Sequence, residues 1–385
     1  MTSPVLFNFY LANLPPPPPG IELVQYADDI SVYCSGNDLD AMTKAINEYV
    51  PALTAYLDDR ELLVSPEKST VTLFTPSTHE FNVHPKIYVQ DKEVELEKTP
   101  KLLGVKFDTM YTFSHHVKDA ICKAKNRLNI LKSLAGSAWG QYKETILLTY
   151  KSVCRSVLEY GVPIWSPLIS PTNWEKLQRV QNQALRIATG CLQMSSIDHL
   201  HQETKVLPLQ AHGNMLTKQF IAQSHHHAHP GNKFLHQRPP PRNMKQTNLI
   251  FEEEIGHLFQ ADTSIKQVIQ SVHTTTVSKS VAAYTPNAVT GDKPPPVHQS
   301  EASLSRKVRS GLARLRSGFS RMLQSYRHRL DETVADSCPD CNSPNHTVHH
   351  LFNCPSHPTT LTILDLWHNP AQAASFLDLE SKEEV

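Results

Sequence analysis

The chain has 385 residues and a formal net charge of zero at pH 7, with 37 lysines and arginines against 37 aspartates and glutamates. This balance excludes a general attraction to polyanions, so nucleic-acid binding must come from local basic clusters, while the length allows two or three domains. Seven cysteines, an odd count, do not suggest a disulfide framework, and neither a long apolar run nor a basic-then-apolar leader is present. We therefore predict a protein of the nucleus or the cytoplasm with no membrane partner.

Two adjacent aspartates separate two short apolar segments near the start of the chain. Residues 21–25 and 30–34 are rich in Val, Ile and Tyr and predict strands, with Asp28 and Asp29 in the turn between them. A turn of this kind holds two carboxylates where divalent metal ions can bridge them to phosphate oxygens. An ordinary acidic hairpin turn has the same pattern, so these residues alone leave both interpretations open.

Flanking segments carry a family resemblance. They read SPVLFNFYLANLP at residues 3–15, LVSPEKS at 63–69 and KLLGV at 101–105. In order and approximate spacing they resemble consecutive motifs of the reverse transcriptases of non-LTR (LINE-type) retrotransposons, in particular the jockey-like branch. The similarity continues through residues 174–186 to about residue 220. It implies an α+β chain in which a partial polymerase palm, an antiparallel sheet with helices, spans residues 1–108.

The resemblance also implies an activity and its partners. The activity is RNA-directed DNA polymerisation by two-metal nucleotidyl transfer, with Mg²⁺ or Mn²⁺ as the ion. The partners are an RNA template, a DNA primer or target and deoxynucleoside triphosphates. In an intact relative Asp28 would bind metal with Asp29 assisting, and Tyr26 and Ala27 would line the primer terminus.

Two more segments match motifs with known roles in that family. Lys68 stands where related polymerases place a lysine that protonates or steadies the leaving pyrophosphate, although a solvated lysine fits the position as well. Leu102, Leu103 and Gly104 match the hairpin that grips the primer end, where glycine permits a close backbone approach. A simple tight turn is the alternative.

The family takes another metal-binding aspartate from a strand upstream of this hairpin, and its fingers lie further upstream still. Neither that strand nor the fingers fits into the residues before residue 21. Two-metal catalysis requires carboxylates from both strands. We therefore expect a carboxy-terminal part of a polymerase that is inactive by itself.

Helical periodicity and a proline run mark the rest of the first region. Pro51 should kink a helix, and residues 15–19, five prolines, predict an extended surface loop that acts as a spacer or, alternatively, recruits a proline-binding module. The helix is indicated by apolar residues at helical spacing, namely Leu39, Met42, Ile46, Tyr49, Leu53 and Leu57.

Residues 109–223 predict a helical thumb or connection region. One helix covers residues 141–160 and ends at Gly161, and another begins with a capping-box pattern at residues 172–175 and stops at Gly190. The polar side of the second helix carries Lys176, Arg179 and Arg186. Such a face suits either a phosphate backbone or solvent.

The next 80 residues, 224–303, have the Pro, His, Ser and Thr content of a partly disordered linker, with one helical candidate at 249–259. Residues 304–336 then predict a basic amphipathic helix. It suits contact with nucleic-acid phosphates, or it packs on its apolar stripe and leaves its cations in water. The candidate nucleic-acid-binding residues are Arg306, Lys307, Arg309, Arg314, Arg316 and Arg321.

A cysteine cluster follows at residues 337–358. Cys338, Cys341 and Cys354 with one histidine can form a tetrahedral Cys3His zinc site. By resemblance to the zinc-knuckle-like end of such elements the histidine is His350, with His349 as the alternative, and chance clustering also remains open. Residues 359–385 predict an acidic tail that is frayed beyond Trp367. An alternative function is a non-catalytic nucleic-acid-binding remnant that uses the basic helix and this knuckle.

Overall fold

The computed structural model describes residues 3–136, 140–235, 247–259 and 263–381. They form two compact units, Met1–His116 and Val117–Val385, and each combines helices with short connecting segments. Strands are confined to the first unit apart from one isolated bridge between Ser337 and Pro344 in the described part of the second. The predicted mixture of helices and small sheets is therefore confirmed.

The first unit contains a long central helix and paired short strands. In chain order its elements are α1 (Ser3–Tyr10), β1 (Ile21–Tyr26), β2 (Asp29–Cys34), α2 (Leu39–Asp58), β3 (Thr70–Val71), β4 (Tyr88–Val89), β5 (Lys92–Glu93), β6 (Glu95–Leu96), β7 (Lys101–Leu102) and β8 (Val105–Lys106). The pairs β1–β2, β4–β5 and β7–β8 are antiparallel, and β3–β6 is parallel. Each pair is a separate sheet, so the expected continuous palm sheet is not formed by the described residues.

The β1–β2 ribbon and α2 share a small core. Ile21 is buried with Tyr49, Leu53 and Leu57 of α2, and apolar residues of β2 pack against them. The Asp38 carboxylate accepts hydrogen bonds from the first-turn amides of α2, which caps that helix. This packing sets one face of the ribbon on the core and leaves the other in solvent. The α2 helix continues through its internal proline, and the kink there stays a prediction.

The second unit is helical. Its helices are α3 (Ser114–Leu134), α4 (Lys143–Thr149), α5 (Ser156–Leu158), α6 (Val162–Trp165), α7 (Pro171–Thr189), α8 (Ile197–Thr204), α9 (Leu209–Ser224), α10 (Thr247–Gly256), α11 (Ile265–Ala283), α12 (Arg306–Arg316), α13 (Gln324–Leu330), α14 (Val348–Leu351), α15 (Asp365–His368) and α16 (Pro370–Phe376). Tyr150–Arg155 forms a π-helical turn between α4 and α5, and Pro230–Phe234 and Gln299–Ser303 are 3₁₀ turns.

Two predicted helices of this region are present with local corrections. The helix expected at 141–160 is continuous only through its π-helical turn, and Gly161 (φ 64°) ends it. The capping box predicted at residues 172–175 is wrong. The cap is Ser170, whose hydroxyl accepts a hydrogen bond from the Asn173 amide, and a proline occupies the first helical position. Gly190 (φ 74°) ends α7 as predicted.

The linker prediction is wrong for residues 265–283. They form α11, whose Val268 and Val272 are buried in a cluster with Ile221 of α9 and Ile255 of α10. The two valines are four residues apart and so lie on one helix face. Ser264 opens the helix with a complete capping box. The candidate helix at 249–259 corresponds to α10, while residues 236–246 lie outside the described part of the chain.

The predicted frayed tail is also wrong over most of its length. Beyond Trp367, Ala373 and Ala374 of α16 and Leu377 after it are buried with Leu312 and Leu315 of α12 in one core cluster. Residues 382–385 lie outside the described residues. The apolar residues of the tail thus complete the core around α12.

Over the described ranges, none of the helices combines the length and the apolar composition needed to cross a membrane.

Candidate functional site

The paired aspartates lie at the tip of the β1–β2 ribbon. Tyr26 pairs with Asp29 across the two strands, so the connecting turn consists of Ala27 and Asp28 rather than the predicted two aspartates. Ala27 has a positive φ of 51°, as a two-residue hairpin turn of the primed type requires. The tight turn keeps the two carboxylates adjacent on a rigid support.

Both carboxylates are exposed, and so is the ring of Tyr26. On the same outer face, the Tyr33 hydroxyl donates a hydrogen bond to Glu22 over 2.7 Å, and this bond raises the pKa of Tyr33. Within the described ranges no third His, Cys, Asp or Glu side chain converges with Asp28 and Asp29 on one point. The hairpin therefore presents two adjacent carboxylates, and the described residues add no third candidate ligand beside them.

The other residues that the sequence assigns to a polymerase palm lie in loops and hairpins of their own. Lys68 is exposed, next to Glu67, which pairs with Lys92 at 2.8 Å; that pairing lowers the pKa of Glu67 to about 2. Leu103 (φ 46°) and Gly104 (φ 88°) form the turn of the β7–β8 hairpin. A hairpin at this motif agrees with the sequence, and its contact with a primer stays a prediction.

The four predicted zinc ligands converge in the second unit. The ligand atoms of Cys338, Cys341, His350 and Cys354 all lie within 4.8 Å of one another. Two of these separations are 3.9 Å, between the sulfurs of Cys338 and Cys354, and 3.3 Å, between Cys341 Sγ and His350 Nε2. Ligands about 2.0 to 2.3 Å from a tetrahedral zinc ion are separated by roughly 3.3 to 3.8 Å. The group therefore has the size of a zinc site.

The structure selects His350 over the alternative histidine. His350 lies on α14, and Cys354 follows that helix three residues after it ends. His349 is exposed and its side chain is not part of the converging group. The nearby His346 is committed elsewhere, since its Nδ1 accepts a hydrogen bond from the Gln324 amide.

The protein environment favours the thiolate form of one ligand. Hydrogen bonds with the side chain and the backbone of Ser343 lower the pKa of Cys341 to about 6. Val348 and Phe352 are buried in the core cluster that contains residues of α12. This packing anchors the segment that carries His350 and Cys354. The cysteine cluster is therefore part of a larger hydrophobic unit rather than a free-standing knuckle.

The prediction of a solvated basic face on residues 306–316 is wrong. Arg306, Arg309 and Arg316 are buried, and their guanidinium groups have partners within the protein. Arg306 donates to the carbonyls of Gly136 and Gln141 and to those of Ile187 and Ala188 in the last turn of α7. Carbonyls in the last turn of a helix have no acceptor role within it, so the guanidinium supplies the donor that α7 lacks.

Arg316 is the centre of a buried ion network. Its guanidinium contacts Glu203 at 3.3 Å and also pairs with Glu301, and both carboxylates bind Lys143, at 2.7 and 3.5 Å. Arg309 pairs with Glu144 and lies 3.8 Å from Glu301. These charges compensate one another inside the protein.

The remaining candidates of this segment differ among themselves. Lys307 donates to the carbonyl of Glu380, and Arg314 donates to the carbonyl of Gly190 at 2.7 Å. Arg321 alone among the six is exposed. A turn at Gly318 (φ 78°) separates α12 from α13, so the predicted single basic helix is two short helices.

The polar face predicted on α7 is partly occupied too. Arg186 donates to the carbonyls of Gln193 and Ser195. Arg179 is exposed and lies 3.9 Å from Glu175, while Lys176 is exposed near Asn173. Two of the three cations therefore remain at the surface.

An exposed basic face that sequence reasoning missed lies on α3. Lys118, Lys125 and Lys132 are exposed, seven residues apart, and lie along one side of a buried stripe. Among the residues that the structure describes, these three lysines have no ion-pair partner. The signal in the sequence was the heptad spacing of the lysines. The buried stripe consists of Val117, Ala120, Ala124, Leu128 and Leu131.

Similar proteins were found among curated sequences. The chain is 25% identical over 245 residues, 62% of its length, to "Probable RNA-directed DNA polymerase from transposon BS" of Drosophila melanogaster, and 24% identical over 249 residues to the corresponding protein of transposon X-element. It is 20% identical over 195 residues to the RNA-directed DNA polymerase of mobile element jockey, also of Drosophila melanogaster. These matches cover 27%, 27% and 21% of the relatives, so the chain spans about a quarter of their length.

No protein-family model and no solved structure matches the chain. The curated homologues are RNA-directed DNA polymerases of non-LTR retrotransposons, and the resemblance seen in the sequence motifs is confirmed.

Proposed function

We propose that these residues contribute the catalytic hairpin, the primer-gripping hairpin and thumb-like helices to an RNA-directed DNA polymerase of a non-LTR retrotransposon. The observation that carries the proposal is the β1–β2 ribbon, which presents Asp28 and Asp29 at an exposed tight turn. The polymerase identity of the curated homologues supports it. The substrates are an RNA template, a DNA primer and deoxynucleoside triphosphates.

Asp28 would hold divalent metal together with a carboxylate from outside these 385 residues, and Asp29 would assist. Magnesium or manganese bound there would polarise the phosphoryl group and lower the pKa of the attacking hydroxyl. The described residues supply no third ligand near the hairpin. We therefore expect the 385 residues assayed alone to extend no primer on an RNA template with either ion, with Asp28→Asn as the comparison. Extension that depends on Asp28 would overturn this expectation.

Zinc is the ion proposed for the Cys3His group. Three thiolates and an imidazole suit zinc, and the measured ligand separations suit a tetrahedral site. Bound zinc supplies a crosslink rather than chemistry, because four protein ligands leave no open position. The site would fasten the loop of Cys338 and Cys341 to α14, whose Val348 is already buried.

Metal analysis tests the zinc proposal. Protein purified without a metal-binding tag should contain about one zinc per chain. Cys354→Ser should lose most of it, whereas Cys122→Ser, a change at an exposed cysteine outside the group, should keep it. Equal zinc content in the two variants would contradict the assignment.

A second candidate function is nucleic-acid binding without catalysis. The exposed lysines of α3 favour it, because α3 spans 21 residues and its lysines stand about 10 Å apart along the axis. Three phosphate contacts predict a slope of about −2.7 for log affinity against log salt with duplex DNA, or about −2 with a single strand. Replacing Lys118, Lys125 and Lys132 by glutamine should flatten this slope in a filter-binding assay. Matched changes at Lys44, Lys92 and Lys98 control for net charge. An unchanged slope would exclude α3 as the binding face.

A further inference from the structure

The proline run before β1 is rigid by its covalent structure. Each proline fixes its own φ near −65°, and each residue that precedes a proline is kept out of the α region. Residues 14–18 all precede a proline, so their backbone is held in the extended polyproline II conformation. Five prolines in this form make a rod about 15 Å long.

Both ends of the rod are attached to the first unit. The Tyr49 hydroxyl donates a 2.6 Å hydrogen bond to the Pro15 carbonyl. At the other end the Ile21 amide donates to the Pro18 carbonyl at 3.1 Å, and Gly20 between them has φ 90°. Proline followed by such a glycine is the arrangement of a type II turn, which feeds the chain into β1. The rod is therefore ordered before any partner arrives.

Exposure along the rod follows its threefold repeat. Leu14 and Pro17 are half-buried, and Leu14 packs against the core shared by the ribbon and α2. Pro16 and Pro19, three residues apart, are exposed, and Pro18 is exposed beside them. Polyproline II has three residues per turn, so one edge of the rod faces the protein and another edge faces solvent.

We propose that this outer edge is a docking site for a protein module with an aromatic-lined groove of the kind that binds polyproline II segments. Such grooves stack aromatic rings against successive prolines and donate hydrogen bonds to the free carbonyls between them. The Pro16 and Pro17 carbonyls accept no hydrogen bond from any residue that the structure describes. A preformed rod loses little conformational entropy on binding.

The charge of the residues next to the prolines in the chain bears on which type of groove could bind the rod. None of residues 3–21 is charged, and Glu22 follows the prolines. Within residues 3–21 the prolines and the adjacent apolar residues are the groups that a groove can recognise. A segment that acted only as a spacer would need the right length and no particular surface. The exposed edge of the rod, with its free carbonyls, is a surface that a groove can bind.

Titration calorimetry with the full 385-residue protein tests the proposal, with isolated WW, EVH1 and SH3 domains as probes. Binding to at least one aromatic-groove domain is expected, and Pro16→Ala with Pro18→Ala should weaken it at least tenfold. Matched changes in a second proline run, Pro294→Ala with Pro296→Ala, should leave it unchanged. Failure of every domain to bind at millimolar protein, or equal affinity of the two variants, would overturn the proposal.

A competition experiment gives a readout that does not depend on how the variants fold. A synthetic peptide of eight prolines should displace the domain from the unaltered protein, and lack of displacement would overturn the proposal. Neither measurement involves polymerisation, so the docking site and the polymerase proposal can fail independently.

Discussion

Replacing Arg316 by methionine tests whether the cations of α12 stabilise the fold. Arg316 has no exposed surface, and its Nε and Nη2 donate to the Leu366 carbonyl at 2.9 and 2.6 Å. Methionine fills a similar apolar volume but donates no hydrogen bond. It leaves Glu203 and Glu301 in the interior with Lys143 as their shared cation and Arg309 3.8 Å from Glu301.

The expected cost follows from those contacts. Removing one partner of a buried ion pair costs about 3–5 kcal/mol, and a buried carbonyl without a donor costs about 1–3 kcal/mol. These two costs overlap because the same side chain serves both, and Lys143 still compensates part of the negative charge. We expect a loss of about 4 kcal/mol from the free energy of unfolding, a large part of the roughly 5–15 kcal/mol typical of a domain.

Guanidinium unfolding followed by tryptophan fluorescence measures the effect. Trp367 reports locally, since its ring centre lies 5.9 Å from the Arg316 guanidinium. Arg321→Met at an exposed position is the matched control and should change the free energy of unfolding by less than about 0.5 kcal/mol. Adding Glu301→Gln to Arg316→Met should recover part of the loss, because the surplus carboxylate is removed while Lys143 keeps Glu203 at 2.7 Å. A loss below about 1 kcal/mol for Arg316→Met would refute the buried network.

Two further substitutions test packing and electrostatics in the second unit. Gly213→Ala places a methyl group 2.7 Å from Trp174 Cη2 and should lower the free energy of unfolding by about 1–3 kcal/mol in a thermal unfolding experiment. Gly256→Ala, with open space around it, should not have this cost. Equal effects of the two changes would contradict the packing of Gly213 against Trp174. For Glu203, burial raises the pKa but Lys143 and Arg316 outweigh it and hold the pKa well below its ordinary 4.5. Because the folded protein holds this pKa below 4.5, the ionised carboxyl stabilises the fold above pH 4.5, and that contribution is lost as the pH falls further. We therefore expect Glu203→Gln to be less stable than the unaltered protein at pH 7. Its free energy of unfolding should also change less with pH below 4.5. Parallel acid-unfolding curves for the two proteins would show that this carboxyl is not involved.

The local features of the candidate site follow well from the sequence. Alternating apolar residues and a turn-forming aspartate predict the β1–β2 ribbon, and only the position of the turn shifts by one residue. Cysteines at C-x2-C spacing predict a converging group, and α14 then decides between the two histidines. These features depend on residues no more than sixteen positions apart in the chain.

The errors concern long-range partners. Arg316 looks like a surface cation because its partner Glu203 lies more than one hundred residues earlier in the chain. The valines of α11 stand among polar residues in the sequence, and Leu377 and Leu379 precede an acidic end, yet each completes a core whose other members are distant. Composition averages over such residues and therefore predicts a linker and a frayed tail.

Primer extension by a chimera is the most direct test of the proposal that the β1–β2 hairpin is catalytic. The segment that precedes the corresponding hairpin in the polymerase of transposon BS would be joined ahead of residue 3, and DNA synthesis on an RNA template with Mg²⁺ would be measured. We expect extension by the chimera and by its Glu48→Gln control, a change at an exposed acid, but none by Asp28→Asn. Extension that survives Asp28→Asn, or its absence from a folded chimera that binds primer and template, would contradict the catalytic assignment of the hairpin.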